Sequence, residues 1–374
     1  MRTTSCPHRT LLKMGAVVGG ALAFSPLLAS AQPTTPAPAS VEEDGTVHLP
    51  AMAVPPSSFL SPQAKAYLAE HLRAMRTPRT QKPSTTVPDL PAYMSGYLVS
   101  ARALFPSTET DSTIGGVPVT IFTPRGGVAK DKQDRVLVNL HGGGFASCFR
   151  GCGALESLPL SGQGGYKVVS VDYRQGPRYR FPAASEDVAA VYTELLKHYR
   201  AENIGIYGCS AGGLLTAMSV AWFQTHGLPR PGAIGIFCSG LAATDIVNGG
   251  DANYLAMTLG EARAPATPPP AGTPLFPEPS YLAGTDPTDP MMSPRYSSDI
   301  LKKFPPTLII TGTRAMEYDA AIYGHRQLVK AGAKAELHVW NGLFHGFFYN
   351  PDVPESREAD QVMIDFFDKN LGRQ

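Results

Sequence analysis

The chain has 374 residues, 43% of them apolar, and a formal net charge of +1. That length and composition supply enough material for a sizeable core, as one large α/β unit or as two or three smaller ones. The even charge, with no dense basic stretch, excludes a nucleic-acid surface read from charge and points to no ionic partner.

The N-terminus reads as a cleavable export signal over residues 1–31. Arg2, Arg9 and Lys13 give a positive start, Met14 to Leu28 carries no charge, and Ala29-Ser30-Ala31 fits a small-residue cleavage site. The uncharged stretch is short for a membrane span. His8-Arg9-Thr10-Leu11-Leu12-Lys13 has the look of a degraded twin-arginine signal, so export by that route or by the general one places the mature chain in the periplasm or outside the cell. No other segment is long and apolar enough to span a bilayer, so no stable membrane insertion is expected after cleavage. Residues 32–58 form a linker and N-terminal extension, rich in Pro, Thr and Ala at its start.

Helical spacing begins at Pro62 and runs to Arg76, with Ala64, Tyr67, Leu68 and Leu72 on one side. Val117, Val119 and Ile121 alternate within Gly116–Pro124, as in a half-buried strand. From Arg135 onward, strand, turn and helix repeat. Strands are predicted at Val136–Leu140, Val168–Asp172, Ile204–Tyr207, Ala233–Cys238, Thr307–Thr311 and Ala335–Val339. Helices are predicted at Ala183–His198, Ala211–Gln224, Asp319–Ala331 and Glu355–Asn370. Such alternation implies an α/β fold with a mostly parallel sheet covered on both faces. Between Ala242 and Ser293 the alternation stops in a Pro- and Ala-rich stretch, a cap insertion or a long surface connection. No internal repeat is present.

Two glycine-rich motifs sit at strand ends, where open α/β sheets bind their ligands. His141-Gly142-Gly143-Gly144-Phe145 follows the first buried strand, and Gly208-Cys209-Ser210-Ala211-Gly212-Gly213 follows the third. A strand that enters G-x-S-x-G and then a helix turns sharply at the serine and lifts its hydroxyl clear of the sheet. Ser210 is therefore the candidate nucleophile. It needs a base, and His345, in the segment after the last strand and the Asn341-Gly342 turn, is the candidate. Backbone N–H groups of Gly143, Gly144 and Ala211 are the candidate oxyanion hole. His141 is read as a brace for the glycine turn, and the other histidines have no motif context.

These motifs, with Val171-Asp172-Tyr173-Arg174, Phe181-Pro182-Ala183-Ala184, Phe304-Pro305-Pro306-Thr307 and His345-Gly346-Phe347 in that order, resemble the hormone-sensitive-lipase-like carboxylesterases of the α/β-hydrolases. The resemblance runs from about Phe59 to Leu371. It implies a catalytic domain over residues 59–374, with cap contributions from about 59–110 and 242–293. It also implies a serine esterase of short- to medium-chain, aryl or lactone esters, with no cofactor.

The family's aspartate after the strand Thr307–Thr311 is replaced here by Ala315, which cannot orient an imidazole. Glu317, two positions on with a longer side chain, is the favoured acid. Asp319, at a position that opens the next helix and suits an N-cap, is the next candidate, and a site with no acid partner is the third reading. Cys209 stands where the family more often has aspartate, and reads as a small buried side chain. Asp172, Asp187 and Arg174 read as structural.

Of five cysteines, Cys6 leaves with the signal. Cys148 and Cys152, just after the glycine turn, are either a local disulfide or two small buried side chains. The cysteine and histidine spacing does not suit zinc. Phe145, Phe149, Phe347, Phe348 and Tyr349 line a pocket or fill core. Two other functions fit the sequence less well: a small-molecule-binding protein on this scaffold, which Ala315 favours, and an amidase or peptidase of the same fold. The oligomeric state is not readable.

Overall fold

A computed structural model describes residues 40–43, 47–48, 53–76, 89–248, 250, 274 and 276–372. The expected signal lies outside the described residues, as do most of the linker and the centre of the 242–293 stretch. Residues 1–54 and 55–374 form two separate units. The described part of the first is one short antiparallel pairing of Ser40–Val41 with Val47–His48.

The second unit is built on an eight-stranded sheet. Its strands are β1 (Ser107–Ile114), β2 (Val117–Pro124), β3 (Val136–Leu140), β4 (Lys167–Val171), β5 (Ile204–Cys209), β6 (Ala233–Phe237), β7 (Thr307–Gly312) and β8 (Ala335–Trp340). They lie in the order β8-β7-β6-β5-β3-β4-β2-β1. The six from β8 to β4 are parallel, and β2 and β1 are antiparallel at one edge. Every residue of β3, β5, β6 and β7 is buried, as strands covered on both faces require.

Along each strand successive side chains enter opposite layers. Leu137, Tyr207, Cys209, Leu308 and Ile310 join one core with α1 (Pro62–Arg76), α2 (Ser95–Leu104), α3 (Phe149–Leu158) and the C-terminal helix Pro354–Asn370. Val136, Val138, Ile204, Ile206 and Ile309 join a second core with α4 (Ala183–Leu195) and α5 (Ala211–Thr225). Among the described residues, the remaining α-helices are short ones at Ala243–Asn248 and Ser298–Leu301, and a longer one at Tyr318–Lys330.

The predicted strands and long helices are present, with no end shifted by more than three residues. Among the longer elements, β1, α2 and α3 are additional. Residues 107–110 belong to the edge strand β1 and pair with β2, so they lie in the sheet and not in a cap.

Candidate active site

Strain marks the site. Among the described residues, the non-glycine positions with positive φ are Phe145, Cys148, Ser210 and Cys238. All four follow the carboxyl ends of β3, β5 and β6, and such conformations cost on the order of 1–3 kcal/mol each. Ser210, at φ 59° and ψ −121°, is the residue between β5 and α5. The turn is possible because its flanks lack side chains. A Cβ at Gly212 would lie 1.6 Å from the Leu140 carbonyl oxygen, and one at Gly208 would lie 2.0 Å from the same atom. The elbow thus rests directly on the end of β3.

The end of β6 holds the elbow and the histidine segment together. Ser210 N donates to Phe237 O at 2.9 Å, and Gly346 N donates to the next residue, Cys238 Sγ, at 3.2 Å. His345 Nδ1 meets Glu317 Oε2 at 2.8 Å, and Glu317 Oε1 accepts from Thr311 Oγ1 at 3.1 Å. Glu317 is fully buried and the His345 side chain is 22% exposed, so the pair has a shielded and an open end.

Ala315 is buried in the turn after β7. Glu317 follows at the N-cap position of the helix Tyr318–Lys330, where its side chain makes no cap hydrogen bond. Asp319, expected as the N-cap, instead lies in the first turn of that helix. The capping position itself is taken by Glu317, whose carboxylate turns to the histidine.

The glycine turn is pinned peptide by peptide. Carbonyl and N–H of a trans peptide point in opposite directions, so fixing one aims the other. Tyr173 OH donates to His141 O at 2.6 Å while Gly142 N donates to Glu156 Oε1 at 2.9 Å. His141 Nδ1 donates to Gly142 O at 2.7 Å, which directs the Gly143 N–H the other way. Ala146 N donates to Gly143 O at 3.1 Å and does the same for Gly144. Ala211 is the first residue of α5, so its N–H has no acceptor in the helix. His141 is fully buried and stacked on Tyr173, with ring centroids 4.3 Å apart. Burial holds its pKa down to about 4, so the ring is neutral and braces the turn.

Comparison with known proteins adds to this geometry. Residues 137–349 match the model of a family described by its α/β-hydrolase fold. A carboxylesterase/phospholipase, LipF, of Mycobacterium tuberculosis is 30% identical over 308 residues, which are 78% of this chain and 79% of that protein. The chain belongs to the α/β-hydrolase fold family. An acetyl-hydrolase of Streptomyces hygroscopicus is 30% identical over 241 residues, covering 62% of this chain and 75% of that one. Among solved structures, an esterase named E25 aligns with a TM-score of 0.68 at 26% identity, over 87% of this chain and 98% of that one. An esterase of the bacterial hormone-sensitive lipase family aligns with a TM-score of 0.63, also at 26% identity, over 83% and 99%.

Other side chains of this α/β-hydrolase that the sequence singles out are placed as follows. Cys148 and Cys152 form a disulfide that ties the residue before α3 to its first turn. Cys209 and Cys238 are free thiols, both buried. Phe347 and Phe348 are core residues, and Phe145 stacks on Tyr281 with centroids 4.8 Å apart. Arg174 pairs with Asp187 at 2.8 Å, a structural pair at the start of α4.

Cys238 Sγ, a Glu317 carboxylate oxygen and a His345 ring nitrogen lie within 4.8 Å of one another. A cation there would need the atoms that His345 and Glu317 share. Burial also pushes the Cys238 thiol well above its ordinary pKa, which keeps it protonated and a poor ligand.

Glu156, on α3, is the residue that the sequence reading passed over. It is the one acidic residue between Asp134 and Asp172, set among apolar neighbours. Such a carboxylate in a stretch that should bury is the signal that could have found it.

Proposed function

We propose that the chain cleaves carboxylic esters through an acyl-enzyme on Ser210. The observation that carries this is the 2.8 Å contact between His345 Nδ1 and the fully buried carboxylate of Glu317, beside a strained serine elbow. Glu317 accepts a hydrogen bond from the Nδ1–H, which fixes the tautomer whose Nε2 lone pair serves as base. His345 takes the Ser210 proton, and Ser210 attacks the ester carbonyl. Gly143, Gly144 and Ala211 N–H groups receive the oxyanion. The alcohol leaves with the proton from His345, and water repeats the cycle on the acyl-enzyme.

The acetyl-hydrolase and carboxylesterase names of the relatives support small acyl groups, so short- to medium-chain esters come first and aryl and lactone esters stay within the class. A carboxylate on His345 supports turnover over a purely ligand-binding role, whose sequence argument was the missing acid. No helix among the described residues is long and apolar enough to cross a membrane. The Cys148–Cys152 disulfide supports export to an oxidising compartment, as the N-terminal segment does.

The test is hydrolysis of 4-nitrophenyl acetate and butyrate by the native mature protein, Ser210→Ala and Glu317→Gln. Ser210→Ala is expected to lose about 10⁴-fold or more in kcat, and Glu317→Gln about 10³-fold to 10⁴-fold. Turnover by Ser210→Ala at the native rate would remove the acyl-enzyme from the mechanism.

A further inference from the structure

The geometry points to Glu156 as a positioning residue that holds three catalytic segments in register through one buried carboxylate. The inference rests on the reading of the site as an ester hydrolase. Glu156 Oε1 accepts from Gly142 N at 2.9 Å and from Tyr349 OH at 2.7 Å. Oε2 accepts from Asn139 Nδ2 at 2.8 Å and from Cys209 N at 3.2 Å.

Each of these donors sits beside a catalytic group. Gly142 precedes the two oxyanion amides, Cys209 precedes the nucleophile, and Tyr349 lies four residues after His345 in the turn Phe347–Tyr349. Asn139 closes the arrangement at the end of β3. Its Oδ1 accepts from Ser170 Oγ at 2.8 Å, which aims its NH₂ at Glu156. The main chain of Glu156 is engaged as well, its carbonyl accepting from Tyr207 OH at 3.0 Å.

A buried carboxylate without a cation is expensive, and a leucine would pack α3 at lower cost. The groups that face Glu156 are neutral on every side. From the end of β3 come Asn139, the Gly142 amide and the adjoining His141, neutral above about pH 4. From β5 come the Cys209 amide and the Tyr207 phenol. Tyr173, after β4, and Tyr349 complete the ring. Burial pushes all three phenols well above their ordinary range, so they stay protonated. What the charge gains is four donors at once, taken from three separate segments of the chain, a pattern that apolar packing cannot reproduce.

The same pattern predicts a pH dependence. Burial raises the Glu156 carboxyl to about 7, against the downward pull of its hydrogen bonds. Only the ionised form accepts from all four donors. Protonation forces one oxygen to donate, and among the four partners only the Tyr349 oxygen can accept. Activity should therefore fall on the acid side with two protons, one on His345 and one on Glu156, and log(kcat/KM) should approach a slope of 2 at low pH.

The test compares native enzyme and Glu156→Gln on 4-nitrophenyl butyrate across pH, with inhibition by an alkyl trifluoromethyl ketone, whose adduct on Ser210 carries an oxyanion. Misaligned oxyanion donors predict a kcat lower by about 10²-fold with KM within three-fold, and ketone affinity lower by about the same factor as kcat. The acid limb of the variant should carry a slope of 1. A residue that only packs α3 would shift the melting temperature and leave the ketone affinity and the slope alone. Folded Glu156→Gln with kcat within three-fold of native overturns the proposal.

If Glu156→Gln does not fold, the native slope and Tyr349→Phe decide. That variant removes one donor, and kcat should fall about ten-fold at constant KM. A native slope of 1 together with unchanged kcat in Tyr349→Phe overturns the proposal. A native protein inert towards every ester sinks the functional reading and this inference together. Native turnover beside an indifferent Glu156→Gln sinks this inference alone.

Discussion

Glu317 reaches His345 because its side chain is one carbon longer than an aspartate and its backbone opens a helix, two residues beyond the turn position held by Ala315. Both carboxylate oxygens are committed, one to His345 and one to Thr311, so the geometry tolerates little shortening. Glu317→Asp is expected to lower kcat on 4-nitrophenyl butyrate about 10-fold to 100-fold, because misplacement by about 1 Å can cost that much. Asp319→Asn should stay within three-fold, and a larger loss there would move the acid to Asp319. At this scale the sequence was legible where chemistry dictates residue type. Ser210, His345 and a carboxylate near Ala315 follow from motif logic. The choice between Glu317 and Asp319 does not, since it depends on where the helix Tyr318–Lys330 begins. Glu156 was hidden for another reason: two of its four donors are backbone amides, and the two side chains, Asn139 and Tyr349, come from distant parts of the chain, a set that no local motif records.

Elements were legible in proportion to their burial. The strands β3, β5, β6 and β7 are runs of apolar residues because both faces are covered. Strand β1 reads Ser-Thr-Glu-Thr-Asp-Ser-Thr-Ile and is almost wholly exposed at the sheet edge, so it carries no apolar alternation to detect. Helix α3 contains Gly151 and Gly153, poor helix formers that mask it. The Cys148–Cys152 bond offsets this by tying down its first turn, and through α3 it supports Glu156. Closing so short a loop contributes about 2 kcal/mol on the chain-entropy account. Replacing both cysteines by serine should lower unfolding stability by about that amount, read by denaturant melts, and should lower kcat more than it raises KM. Equal kcat in the double variant would separate the bond from the site.

For the molecule as a whole, two buried groups near the site make opposite contributions to stability across acid pH. Glu156 has its pKa raised from 4.5 to about 7, so its contribution is full below about 4.5 and is lost as pH rises through 7. His141 has its pKa lowered from 6.5 to about 4, so its contribution is full above about 6.5 and is lost as pH falls through 4. Each is on the order of 3 kcal/mol, and between pH 4.5 and 6.5 they offset one another. Glu156→Gln removes one arm. Its unfolding free energy minus that of the native protein should rise by about 3 kcal/mol from pH 4 to pH 8, measured by urea denaturation at both ends. Parallel pH profiles for the two proteins would show that Glu156 titrates normally in the fold.

The disulfide beside the glycine turn has a practical consequence for anyone who handles the protein. Cys148 and Cys152 are the only pair of thiols close to the catalytic loops that the fold joins covalently among the described residues. A reducing cytosol keeps such thiols apart, whereas a periplasm or culture medium joins them. Two batches of one gene product, recovered from different cell compartments, would thus differ in a covalent bond next to the glycine turn. Thiol titration of each batch should come before any comparison of rates.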